Sequence, residues 1–138
     1  MLVFKLFEGS GLRVVDPLGQ QDPYVEIKLD GEYVKRSKVV EGGGKDPYFE
    51  EEELAMWVDG NTWMKDVVVT VCDQSLGNSN AIGYTEFSML PYMDIPPGKA
   101  QQEVFELYFK DTRKRAAEEV QQGELVMKVG TPRVCNLL

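Results

Sequence analysis

Asp16 and Asp22 bracket the segment Pro17-Leu18-Gly19-Gln20-Gln21, and Asp73 follows directly on the apolar run Val67-Val68-Val69-Thr70-Val71-Cys72. Carboxylates carried at loop mouths on one end of a β-structure can share a hard cation, because Ca²⁺ takes roughly six to eight oxygen ligands. Without a cation, like charges held that close repel. Asp is also the commonest turn residue, so the same positions read equally well as ordinary turns.

Other chemistry is excluded by composition. The chain has no histidine, so no Ser-His-Asp or Cys-His constellation can form and no imidazole is present as base or metal ligand. Cys72 and Cys135 are the only cysteines; they cannot make a structural zinc site alone, and they fit a reducing cytosol better than secretion. Cys72 has no accompanying base and reads as a small packed residue. Gly42-Gly43-Gly44-Lys45 looks like a phosphate loop, but Val39 stands where the first Gly would be and Asp46 where Ser or Thr would be. Lys and Arg number 15 against 23 Asp and Glu, a net charge of −8, which argues against nucleic acid as a partner. The expectation is a non-enzymatic domain.

Strands with turn punctuation must position these groups. Segments rich in Val, Leu, Ile and aromatics recur at 2–7, 24–29, 32–40, 48–58, 67–71, 81–89, 104–109 and 124–129. Asp30-Gly31 reads as a hairpin turn between the second and third. The unbroken run 67–71 predicts a strand covered on both faces. Asp111 to Gln122 is polar and free of Gly and Pro, with Asp111 or Thr112 as N-cap and Gly123 as stop, which predicts a short solvated helix between the last two strands. The sum is an all-β, eight-stranded antiparallel Greek-key sandwich over residues 1–131, with 132–138 as a tail. Glu50-Glu51-Glu52-Glu53 is awkward in a strand: a bulge or a late strand start would relieve it, and an acidic recognition surface is the alternative.

Taken in order, several of these segments resemble C2 domains. Asp16 to Val25 resembles the family's first calcium loop and following strand, and Asp46-Pro47-Tyr48-Phe49-Glu50-Glu51 resembles its Asn-Pro-X-Trp-Asn-Glu stretch. Lys35 to Val39, Val69 to Asp73 and Ile82-Gly83 continue the likeness to about residue 90. The opening strand and the final strand 123–129 resemble the type II topology, in which the last strand pairs beside the first, as in small stand-alone C2 proteins of plants and protists.

The resemblance implies calcium ligands at Asp16, Asp22 and Asp73, with Ser75 and Asn80 standing where the family carries two further aspartates. Neutral oxygens there imply a weak or absent Ca²⁺ site, since affinity follows ligand charge. Leu18 and Leu76 match the apolar loop tips that enter lipid in membrane-docking relatives; packing against a neighbouring loop is the alternative. Lys35, Arg36 and Lys38 lie where many relatives bind phosphoinositides, with Arg36 and Lys38 on one face and Lys28 on the partner strand. Two functions stand: a peripheral phospholipid-binding module, or a calcium-independent protein–protein scaffold, in either case cytoplasmic and associated with membrane or cytoskeleton. The terminal Cys135-Asn136-Leu137-Leu138 matches a prenylation box in form.

Overall fold

The computed structural model describes residues 1–16, 20–75, 78–110 and 119–131, the side chains of 33, 34, 75, 78, 119 and 120 excepted. Eight strands form: β1 (Leu2–Ser10), β2 (Pro23–Leu29), β3 (Glu32–Arg36), β4 (Tyr48–Met56), β5 (Asp66–Ser75), β6 (Asn78–Ser88), β7 (Ala100–Lys110) and β8 (Glu119–Gly130). All pairings are antiparallel, in the order β3-β2-β5-β6-β7-β8-β1-β4. The order folds over at the β6–β7 junction, where Tyr84 and Tyr108 form the sole register pair, so that β3-β2-β5-β6 and β7-β8-β1-β4 make the two layers of a sandwich. The last strand lies beside the first, with Lys5 opposite Lys128 and Phe4 opposite Val129.

Alternation decides which face each strand buries. Leu2, Phe4 and Leu6 of β1 meet Val25 and Ile27 of β2, Val67, Val69 and Val71 of β5, and Leu125, Met127 and Val129 of β8 in one core. Burying each such side chain is worth about 1.5–3 kcal/mol. The run 67–71 is covered fully on one face only: Val68 and Thr70 stay half-buried on the other. The β-branched run reflects its central place between β2 and β6.

Two irregularities resolve features of the sequence. Asp30 and Gly31 have φ of 51° and 80°, the positive pair a tight hairpin turn demands. Glu50 and Glu51 also have positive φ, 56° and 57°, at a register shift where Leu6 faces Glu52 and Glu8 faces Tyr48. This bulge switches the alternation, so Phe49 and Leu54 both reach the core while Glu50, Glu51 and Glu53 remain in water. Left-handed backbone at a non-glycine residue costs about 1 kcal/mol or more at each position, less than burying a carboxylate.

The helix expected over 111–122 is corrected at its end. Residues 119–122 belong to β8, pairing with β7 through Lys110–Glu119 to Tyr108–Gln121; residues 111–118 lie outside the described residues. Gly123 does not stop a helix. It sits in β8 at a register shift with φ of 97°, where a side chain would meet the Ser10 and Gly11 carbonyl oxygens at 2.8 Å.

One buried pair carries a pH prediction. The Tyr92 hydroxyl donates to Glu103 Oε2 at 2.9 Å, and burial, then the carboxylate, push the phenol above its ordinary 10.0. The folded chain therefore holds a proton that the unfolded chain releases near 10.0, so this contribution is complete below that pH and is lost as pH rises above it. Tyr24 and Cys72, both raised by burial, act with the same sign. Urea unfolding from neutral to strongly alkaline pH is expected to show a decline in stability that is shallower in Tyr92→Phe. An equal or steeper decline in the variant would refute the assignment.

Candidate functional site

The β2–β5 ladder places the acidic pair. Pro23 lies opposite Asp73, which sets the preceding Asp22 against the Asp73 side chain. The Asp22 backbone N–H donates to Asp73 Oδ1 at 2.7 Å, and the Gln74 N–H donates to the Asp22 carbonyl at 3.0 Å. Asp22 Oδ1 in turn accepts the Gly42 N–H at 2.8 Å, which joins the 41–46 loop to the pair. Asp73 is 2% exposed, and its Oδ2 is buried without a hydrogen-bond partner. Asn80 lies directly opposite Asp73 on β6 and is exposed; Ser75, at the end of β5, is opposite Asn78.

Asp16 is half-buried on the loop between β1 and β2. Among the described residues, no three of His, Cys, Asp and Glu lie close enough together to hold a metal ion. The ladder thus brings Asp22 beside Asp73, with Asn80 opposite Asp73 in register. Their oxygens suit a hard cation and include one carboxylate oxygen that no protein group satisfies. Leu18 and Leu76 lie outside the described residues.

Gln21 holds these loops together, and sequence reading missed it. It is 3% exposed; its amide nitrogen donates to the Arg13 and Gly44 carbonyls, both at 3.0 Å, and its oxygen accepts the Val15 N–H at 3.1 Å. Arg13 fastens the same loop to β6, donating to the Ala81 and Ile82 carbonyls at 2.7 and 3.2 Å while stacking 3.5 Å from the Phe109 ring centre. Nothing in the sequence separates Gln21 from exposed Gln20; burial alone does.

Lys28 and Arg36 both neighbour Glu26. Lys28 pairs with Glu26 at 3.7 Å. Arg36, opposite Glu26 in register, lies 4.3 Å from the Tyr24 ring centre and donates to Gln74 Oε1 at 3.3 Å. β3 ends at Arg36, and the buried Ser37 continues alongside β2, donating its N–H to the Val25 carbonyl. Lys38 follows beyond the strand, its N–H donating to Glu52 Oε1 at 2.9 Å in a cavity also lined by Glu41 and Glu50. Of the three, Lys35 and Arg36 belong to β3, and Lys38 lies two residues beyond its end.

The C2 domain profile matches residues 1–107. The 16 kDa phloem protein 1 of Arabidopsis thaliana is 40% identical over 52 residues, 38% of this chain and 33% of that protein, so the match spans a third of the relative's length. The fold is similar to a C2 domain of plant Extended Synaptotagmin 1, with a TM-score of 0.73 and 22% identity over 96% of this chain and 95% of that one. It is also similar to part of human GIVD cytosolic phospholipase A2, with a TM-score of 0.69 and 17% identity over 97% of this chain and 17% of the enzyme.

Proposed function

This chain belongs to the C2 domain family, and from that premise we propose that it is a non-enzymatic module that docks on phospholipid membranes through a reduced calcium site. The observation that carries the reading is the buried, unpartnered Oδ2 of Asp73 beside Asp22. A carboxylate oxygen shut away from both water and donors is costly unless a cation completes its surroundings. Asp22 and Asp73 would hold the ion, with Asn80, Ser75 and Asp16 adding oxygens; Ca²⁺ would supply the positive charge that draws anionic headgroups to the loops. With few anionic ligands the binding is weak. Leu18 and Leu76 would then contact lipid, and Lys28, Arg36 and Lys38 would add contacts to headgroups. The domain spans 1–131, and 132–138 is its tail.

A second reading is a calcium-independent protein scaffold. It draws support from Trp57 and Met64, 83% and 76% exposed, which follow β4 and precede β5 at the end remote from Asp73.

Co-sedimentation with phosphatidylserine vesicles in millimolar Ca²⁺ and in excess chelator tests the first reading. Pelleting that requires Ca²⁺ and is lost in Asp22→Asn/Asp73→Asn is the expected result. Absence of pelleting in both conditions would overturn it in favour of the scaffold. Among the described residues, no helix is long and apolar enough to cross a membrane, so association would be peripheral.

A further inference from the structure

The outer face of the β7-β8-β1-β4 layer carries a cavity of about 210 Å³ at the end remote from Asp22 and Asp73, lined by Val3, Lys5, Glu53, Lys99, Lys128 and Thr131 among others. Lys5 and Lys128 lie directly opposite each other on β1 and β8. Like charges so paired destabilise a sheet. Glu53, opposite Lys5 on the other side, offsets part of this with an ion pair at 3.7 Å. Among the described residues, Lys99 and Lys128 have no carboxylate at ion-pair distance. In a chain of net charge −8, three lysines lining one cavity are a local reversal, with Lys128 Nζ 5.5 Å from the Phe7 ring centre.

Two features of the backbone build the cavity. Gly130 packs so closely that a side chain there would meet the Lys99 carbonyl at 2.3 Å, which holds the start of β7 against the end of β8. The Gly98 N–H donates to the Thr131 carbonyl at 2.8 Å. The backbone of Thr131 is thus engaged, but its hydroxyl is buried without a hydrogen-bond partner. Buried polar groups in folded proteins are nearly always paired, and this one lies in the wall of a lysine-lined cavity.

We propose that this cavity binds a phosphate group, with Lys5, Lys99 and Lys128 supplying charge and the Thr131 hydroxyl, rotated out of the wall that buries it, a donor. The phosphate belongs either to a soluble phosphate ester or to a phosphoinositide headgroup. The site is separate from the acidic pair and from Lys28, Arg36 and Lys38, so its test runs entirely in chelator and stands apart from the calcium assay.

Isothermal titration of the full chain with inositol 1,4,5-trisphosphate is expected to show saturable binding. Each of Lys99→Ala and Lys128→Ala should weaken it about tenfold, the scale of one charge-assisted hydrogen bond. Glu53→Gln should tighten it by about threefold, because a competing carboxylate is gone. Thr131→Val should weaken it with no loss of melting temperature in the free protein. Vesicles of phosphatidylcholine with and without phosphatidylinositol 4,5-bisphosphate separate the sources: capture only by the second assigns the site to the headgroup, and soluble binding without capture assigns it to a free ester. No saturable binding of the trisphosphate, binding unchanged in Lys99→Ala/Lys128→Ala, or weaker binding in Glu53→Gln would each overturn the proposal.

Discussion

Gln21→Leu is expected to destabilise the folded chain by about 3 kcal/mol, because it removes three hydrogen bonds and leaves their backbone partners in a part-buried site. The size of the side chain is nearly conserved, so packing contributes little. The Arg13 and Gly44 carbonyls and the Val15 N–H lose their partner together, and the β1–β2 and β3–β4 loops lose the strut between them. For a domain of this length the change corresponds to a fall in melting temperature of about 10 °C. Gln21→Glu separates the contributions: it keeps an acceptor for Val15 but has no donor for the two carbonyls, and it sets a negative charge beside them. It should fall nearly as far as Leu. Gln20→Leu, at an exposed position, serves as control and should stay within about 0.5 kcal/mol of the parent. A Gln21→Leu protein as stable as the control would show that water replaces the amide without cost and would sink the argument.

Asp73→Asn is expected to stabilise the chain in chelator and to lose that advantage in calcium. Asparagine keeps the oxygen that accepts the Asp22 N–H and removes the buried charge at the unpartnered position. In chelator the variant should be more stable than the parent by about 1–2 kcal/mol: its amide nitrogen still lacks a partner there, but a buried neutral group costs less than a buried charge. With calcium at about ten times its dissociation constant, the parent should gain about 1.4 kcal/mol and the variant nothing, so that the two converge. Thermal melts of both proteins in chelator and across a calcium titration check the convergence. A variant less stable than the parent in chelator would mean that the Asp73 carboxylate is satisfied without a cation, and the calcium site would fall with that result.

Much of the architecture was legible along the chain because strands declare themselves locally. Each of the segments read as a strand is one, and Asp30-Gly31 turns the chain where its dipeptide says it should. The family likeness rested on the same local signals, since the order of Asp-Pro-Tyr, Asn-Pro-like and Val-Cys-Asp segments survives without knowledge of contacts. The stretch ending at Gln122 misled because polarity and the absence of glycine suit a solvated helix and the exposed end of a long hairpin equally. Its partner, Phe109-Lys110, lies on another strand and leaves no mark on the local pattern.

By itself the sequence determined the fold class, the exclusion of histidine chemistry and the presence of Asp22 and Asp73 near one end, because side-chain type and period-two alternation are properties of neighbouring residues. Tertiary structure alone decided that Asp73 is buried with an oxygen unpaired, that Gln21 rather than Gln20 ties the loops, and that Lys5 and Lys128 oppose each other across a cavity. Each of these is a relation between strands far apart in the chain. Burial and register across a sheet are set by pairings whose partners the local sequence does not name.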